Sequence, residues 1–134
     1  MKYVVSIFAN EDSRFFPAEV NQMVTFAGEI LVEGEDTHAA LEAAYAVGNR
    51  QGTDLRGVRW SRFTRSASVG DAFIIRPYAG ATVEGSDEFD PRPSERLFTV
   101  ASFGFDEQAD WEVGYGYGER AERRLQTKRG VVAR

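Results

Sequence analysis

The stretch that decides the fold is residues 65–75, which read RSASVGDAFII. Residues 68–71 have the composition of a type II turn, in which Gly70 occupies the position that requires a positive φ. Asp71 is suited to close this turn, because its carboxylate accepts hydrogen bonds from nearby backbone N–H groups. Residues 73–75 are all apolar, which predicts a strand buried on both faces. We expect this strand to lie at the centre of the core.

Runs of β-branched and aromatic residues bounded by turn residues predict the other strands. Residues 2–9 and 23–32 form two strands before the turn, with Gly28 as a candidate bulge. After the turn, we expect strands over residues 72–76 and 96–102, a turn with two aromatic anchors at 103–105, and a last short strand at 111–113.

Two segments have helical character. In residues 37–47, apolar residues recur at helical spacing, Asp36 or Thr37 is available as N-cap, and Gly48 with Asn49 suits the C-terminal end. We predict an exposed helix over residues 119–127, because Glu119 and Arg123 have the i,i+4 spacing of an ion pair on a helix.

These elements predict the fold class and the domain organisation. A length of 134 residues corresponds to one domain. We expect residues 1–118 to form a single α+β domain, with a small, mostly antiparallel sheet of four or five strands and one packed helix. Residues 119–134 would then form a basic C-terminal surface helix and tail.

The composition excludes several classes of chemistry. The chain has no cysteine, which removes disulfides, thiolate nucleophiles and cysteine-based metal sites. No apolar run is long enough for a membrane-spanning helix, and we interpret the apolar N-terminus as a strand rather than a signal peptide. We therefore expect a cytoplasmic protein with no membrane partner.

The candidate catalytic and nucleotide motifs are incomplete. His38 is the only histidine, so a Ser–His–Asp arrangement would have to combine it with Ser66 or Ser68 and Asp71. The G-x-S-x-G elbow is absent, and a solvated histidine at a helix start is the simpler interpretation. Residues 116–121 match G-x-G-x-x-A, but no second strand and ribose-binding acid follow. We predict no catalytic residue, no cofactor and no metal.

A long acidic segment is the first candidate binding site. Residues 79–94 connect two predicted strands and are far longer than a hairpin loop. They place four carboxylates around one aromatic side chain: Glu84, Asp87, Glu88, Phe89 and Asp90. Such a surface suits a basic patch on a partner protein, with the ring supplying binding energy and the acids speeding encounter. The alternative is a disordered loop that only improves solubility.

The basic C-terminus is the second candidate, for nucleic acid. Aromatic residues precede a cluster of cations in the order Tyr115, Tyr117, Arg120, Arg123, Arg124, Lys128 and Arg129. Aromatic rings beside basic side chains are one way to bind single strands. The alternative is a glycine-rich hinge that leads into a charged surface helix, and the net charge of −5 disfavours nucleic-acid binding by the chain as a whole.

Several short motifs together resemble the YodL-like domain. They are LEAAY at residues 41–45, then Asn49, then RSASVGD at 65–71, and LFTV at 97–100 running into Gly104 and Phe105. The chain departs from the family pattern at Ala67, where leucine is usual, and at Gly70, where serine is usual.

The resemblance covers residues 37–105 and implies an origin in phages, plasmids or conjugative elements, with a suspected role in countering host defence. It implies no catalytic residues. We therefore expect a non-enzymatic accessory protein in the bacterial host cytoplasm that binds a protein of the host or of the element. Nucleic-acid binding by the C-terminus is the alternative.

Overall fold

A computed structural model describes residues 1–13, 15–78, 95–114 and 123–128, and these residues form one helix and a seven-stranded antiparallel sheet. The sheet curls into a half-barrel with the strand order β5-β4-β3-β1-β2-β7-β6. The elements in chain order are β1 (Lys2–Asn10), β2 (Met23–Glu33), α1 (Thr37–Gly48), β3 (Ala72–Pro77), β4 (Arg96–Ala101), β5 (Gly104–Glu107), β6 (Trp111–Val113) and β7 (Arg123–Thr127).

The predicted fold class is wrong. Instead of an α+β domain with four or five strands and two helices, the described chain is mostly sheet, with seven strands and one helix. The predicted C-terminal helix over residues 119–127 contains strand β7 in its second half, and residues 119–122 lie outside the described residues. The turn predicted at 103–105 continues into β5, which forms a tight hairpin with β4.

The alternation of side chains explains why β7 is a strand. Leu125 is fully buried, whereas Arg124 and Gln126 on either side of it are exposed, which is the period of two that a half-buried strand requires. Leu125 packs with Phe8, Val24, Ala72 and Leu97 on the face of the sheet away from the helix.

The other predicted elements are confirmed to within one residue at each end. Helix α1 begins at the predicted cap, because the Asp36 carboxylate accepts a hydrogen bond of 2.8 Å from the Ala39 N–H. The helix ends in a Schellman motif, in which the N–H groups of Arg50 and Gln51 bond to carbonyls of the last turn. Arg50 takes the left-handed position with φ +63°, where glycine is usual.

The core lies between α1 and one face of the sheet. Phe73 and Ile75 of β3 are buried in this core, whereas Ile74 between them is half-buried against the cluster on the opposite face. The predicted burial of residues 73–75 is therefore confirmed on the helix side of the sheet and only partly on the other side. The helix buries Ala40, Leu41, Ala44 and Val47 against the sheet, and the two alanines let it approach the sheet closely. The Phe73 ring lies 5.6 Å from Phe105 and 6.4 Å from Tyr45, measured between ring centroids.

The predicted bulge at Gly28 is also confirmed. The register between β1 and β2 shifts where Ile7 pairs with Gly28 and Phe8 pairs with Phe26. The buried Trp60 ring covers this position, since a Cβ on Gly28 would lie 2.7 Å from the ring. Trp60 thereby fixes the loop between α1 and β3 to the sheet, whereas Phe63 of the same loop is 88% exposed.

Gly70 lets the turn before β3 form against a neighbouring loop. Its φ is +95°, and a Cβ would lie 2.7 Å from the Phe16 carbonyl oxygen. We expect Gly70→Ala to lower the free energy of unfolding by about 1–3 kcal/mol, measured by urea denaturation. Gly104→Ala is the matched control, because Gly104 has a φ of +92° with nothing within 4 Å of its added Cβ. Equal losses in both variants would show that the close approach to Phe16 costs nothing.

Candidate functional site

A buried polar network holds the turn before β3. The Asp71 side chain is 1% exposed and accepts hydrogen bonds from the backbone N–H groups of Asn10 and Ser68, both at 2.9 Å. The Arg65 guanidinium binds both of its carboxylate oxygens, at 2.6 and 3.2 Å. Arg65 also donates to the Ser68 hydroxyl and to the Asn10 carbonyl. Two charge-assisted contacts to one carboxylate fix both position and orientation.

Asn10 extends this network to the loop that follows β1. Its side-chain amide donates to the Gly70 carbonyl and to Gln22, and its oxygen accepts from the N–H groups of Asp12 and Ser13. Asn10 is fully buried, and the described residues contain no buried side-chain N or O atom without a partner. The RSASVGD segment therefore has a structural role, because Arg65, Ser68 and Asp71 together hold three loops at one end of the sheet.

Four exposed phenylalanines lie on the loops at this end, and we call them the phenylalanine end: Phe15, Phe16, Phe63 and Phe103. Each side chain is between 70% and 99% exposed. Phe15 and Phe16 are held against the turn, since the Phe15 N–H bonds to the Val69 carbonyl at 3.3 Å. Phe103 is at the tip of the β4–β5 hairpin, three residues after Val100, whose carbonyl accepts from Gly70.

Arg50 places the fourth ring at the same end. Its guanidinium donates to the carbonyls of Ser61 and Thr64, on both sides of Phe63, and to the Ser66 hydroxyl. Because Arg50 directly follows the C-terminal cap of α1, the loop that carries Phe63 is fixed to the helix. Large exposed apolar side chains grouped at one place on a protein mark interaction surfaces more often than chance allows.

Phe15 has a strained backbone. Its φ is +69°, a region that bulky side chains rarely adopt. Such residues cost of the order of 1–3 kcal/mol and cluster at functional sites, where surrounding contacts impose the conformation. The hydrogen bond from the Phe15 N–H to the Val69 carbonyl is the contact that holds this conformation, and the ring itself stays exposed.

The loop before the turn is rich in arginine, and we call residues 50–66 the arginine loop. Arginines recur every third residue at Arg56, Arg59, Arg62 and Arg65. This spacing, together with the absence of any acidic residue between Asp54 and Asp71, is the feature of the sequence that could have indicated a basic surface. Arg56 pairs with Asp54 at 2.8 Å, whereas Arg59 and Arg62 are exposed. The Arg62 guanidinium lies 5.1 Å from the centroid of the Phe63 ring.

Asp54 holds a turn in the arginine loop, in which Thr53 and Arg59 pair as an antiparallel bridge. Its carboxylate accepts hydrogen bonds from the backbone N–H groups of Leu31, Arg56 and Val58. Burial acts to raise the pKa of the Asp54 carboxyl, but these bonds and the Arg56 side chain outweigh burial and lower the pKa below its usual value of 3.8. The turn fixed in this way lies along the edge of β2, where Leu55 N–H also bonds to the Leu31 carbonyl.

The lowered pKa of Asp54 predicts a pH-dependent stability. Because the folded pKa lies below the unfolded value of 3.8, the contribution of Asp54 is present above that pH and is lost as pH falls through the folded pKa. We expect Asp54→Asn to cost about 1–3 kcal/mol at neutral pH, with the difference from wild type shrinking at pH 3. Urea midpoints at the two pH values measure this. Asp106→Asn, at an exposed position, is the control, and a pH-independent difference would contradict the prediction.

The structure separates the members of the hypothetical Ser–His–Asp arrangement. His38 lies in the first turn of α1 and packs edge-on against Phe98, with 6.2 Å between ring centroids. Ser66, Ser68 and Asp71 lie at the other end of this 12-residue helix, which is roughly 16 Å long at 1.5 Å per residue. The geometry brings no nucleophile to His38 among the residues described.

Most of the residues predicted to bind a partner lie outside the described residues. Residues 79–94 lie outside the described residues, and with them the whole acidic segment: Glu84, Asp87, Glu88, Phe89 and Asp90. Four of the C-terminal residues also lie outside: Tyr115, Tyr117, Arg120 and Arg129. Arg123 and Arg124 are on strand β7, with Arg123 over the Phe8 ring and Arg124 3.9 Å from Asp12, and Lys128 follows that strand, exposed.

Comparisons with known proteins identify no relative. No family model, no curated protein and no solved structure matches this chain. The resemblance to the YodL-like domain therefore stays a prediction from the motifs. In the described part of the chain, no helix has the length and apolar character needed to cross a membrane.

Proposed function

We propose that this chain is a non-enzymatic accessory protein of a phage or other mobile genetic element, and that it binds a protein of its host or of the element. The observation that supports binding is the phenylalanine end, with four rings exposed on loops that a buried network holds. The motif resemblance supports the origin and the bacterial cytoplasm as the place of action.

Ordering side chains and loops on binding costs conformational entropy. Aromatic side chains supply large contact areas with few rotatable bonds, and they dominate the energies of protein interfaces. Binding is strongest when the groups are already held in place, because less conformational entropy is lost on association. The contacts from Arg50, Asn10 and Val69 to the backbones of these loops provide such preorganisation.

The acidic segment of residues 79–94 belongs to the same proposal. Its flanking residues Tyr78 and Glu95 adjoin β3 and β4 at the end of the sheet opposite the phenylalanine end. The two candidate surfaces share no residue, so each is tested by its own variant.

Phe15→Gly tests the phenylalanine end with little risk to folding. Glycine adopts a φ of +69° without strain, so we expect the melting temperature to stay the same or to rise. Loss of the ring should lower affinity for the partner by about tenfold or more. The measurements are a thermal melt and binding of the purified partner by calorimetry.

The partner is first identified by pull-down from a bacterial lysate and is then purified. Leu55→Ala is the control, because Leu55 is a half-exposed apolar residue outside the phenylalanine end. The double variant Phe89→Ala with Asp87→Lys forms a third arm for the acidic segment. If the partner binds wild type and all three variants equally, neither surface mediates the recognition.

A further inference from the structure

The arginine loop concentrates positive charge in an acidic chain. It contains five arginines and one aspartate, a net charge of +4, so the rest of the chain carries −9 of the total of −5. Local basic surfaces attract anionic ligands even when the net charge of the protein is negative, because salt screens charges beyond about 10 Å.

The five arginines divide by role. Arg50 binds backbone carbonyls, Arg56 pairs with Asp54, and Arg65 pairs with the buried Asp71. Arg59 and Arg62 are exposed, and neither forms an ion pair with a carboxylate among the described residues. Two guanidinium groups therefore remain available for a ligand, on a loop whose backbone is held at both ends.

Phe63 adds a stacking surface beside this charge. The ring is 88% exposed, and the Arg62 guanidinium lies 5.1 Å from its centroid. The Phe63 N–H donates to the Ser61 hydroxyl at 3.1 Å, so the backbone that carries the ring is fixed. Bases in single strands stack on aromatic rings of this kind, while arginines bind the phosphates.

We propose that Arg59, Arg62 and Phe63 bind a single-stranded nucleic acid. The two guanidinium groups contact successive phosphates, and the Phe63 ring stacks on an unpaired base. A flexible single strand offers the ring an unpaired base beside each phosphate, a combination that a peptide made of acidic residues alone lacks. A duplex has its bases stacked internally and offers the ring nothing. The binding is sequence-tolerant, and it uses different residues from the C-terminal basic segment. Phe63 also belongs to the phenylalanine end, whereas Arg59 and Arg62 do not, so the variant of the two arginines separates this ligand from the protein recognition proposed above.

Fluorescence anisotropy with labelled single strands of about 12 nucleotides, in low salt, tests this site. We expect Arg59→Glu with Arg62→Glu to lower affinity about tenfold or more, and Phe63→Ala about fivefold or more. The matched control is Lys2→Glu with Arg76→Glu, which changes the net charge equally at positions outside both the arginine loop and the C-terminal basic segment. Affinity in this control should stay within about twofold of wild type. Unchanged melting curves confirm that the variants fold.

The salt dependence of the affinity and the displacement of the labelled strand by competitors are two further tests. Two phosphate contacts to a single strand predict that log K falls against log salt with a slope of about −1.4. We expect most of this salt dependence to be absent in the variant with Arg59→Glu and Arg62→Glu. DNA and RNA strands of one sequence are compared, and binding of either supports the proposal. Three results would overturn it: no binding by wild type, equal loss in the control pair, or displacement of the strand by an acidic peptide as effective as by an unlabelled oligonucleotide.

Discussion

Asp71→Ala should destabilise the protein by about 3–5 kcal/mol, the range observed when one member of a buried ion pair is removed. The variant leaves the Arg65 guanidinium and the N–H groups of Asn10 and Ser68 without their shared acceptor. Each buried donor that loses its partner retains its full desolvation penalty. Urea denaturation at neutral pH measures the loss.

The control for this variant is Asp106→Ala, because Asp106 is an exposed carboxylate on β5. Its effect should fall within about 0.5 kcal/mol of zero. The double variant Arg65→Ala with Asp71→Ala should lose less stability than the two single losses added together, since the two side chains act on each other. A loss under about 1 kcal/mol for Asp71→Ala would mean that the network does not stabilise the turn.

Phe73→Ala is the second large effect, and we expect it to cost about 3–5 kcal/mol. Phe73 is fully buried between β3 and α1, and its ring contacts Phe105 and Tyr45. The substitution removes a ring from a close-packed interior and leaves a cavity that the strand backbones cannot collapse to fill. Thermal and urea denaturation both report the change.

Phe103→Ala deletes the same ring from a position that is 99% exposed. Its expected effect on stability is within about 0.5 kcal/mol of zero, because the ring is equally solvated in the folded and unfolded states. The pair of variants separates burial from side-chain chemistry. Equal denaturation midpoints for the two would contradict the placement of Phe73 in the core.

Elements with local signals could be predicted from the sequence. The turn at residues 68–71 is specified by Gly70 and Asp71, and the structure closes it with a hydrogen bond of 3.1 Å between Asp71 N–H and the Ser68 carbonyl. Helix α1 carries its cap and its apolar face within 13 residues of sequence, from Asp36 to its last turn. These features depend on neighbours in the chain, which a pattern of residues shows directly.

Strands β5 and β7 could not be predicted in the same way. β7 has one apolar residue, Leu125, and its burial depends on side chains from β1, β2, β3 and β4. β5 has four residues, GFDE, which lack the alternation typical of a strand, and it forms because β4 offers an unpaired edge. Their structure is decided by partners that are distant in sequence, and single-sequence patterns do not reveal such partners.

The residues of the candidate sites also depend on contacts between parts of the chain that are distant in sequence. Asn10 and Asp71 are 61 residues apart, and nothing in their local sequences connects them. Exposure of the four phenylalanines depends on the tertiary structure, since apolar residues in loops are buried or exposed according to what packs on them. Trp60 and Phe63 show this directly, because they lie three residues apart and only Trp60 is covered.

The network at the end of the sheet also has an evolutionary consequence. The Asn10 and Arg50 side chains hold the loops through main-chain atoms: the N–H groups of Asp12 and Ser13, and the carbonyls of Ser61 and Thr64. The phenylalanine side chains on these loops form none of these hydrogen bonds. A change of side chain at these positions therefore leaves the contacts that hold the loops in place. The rings can therefore be exchanged one at a time, while Arg65, Asp71 and Asn10 preserve the scaffold.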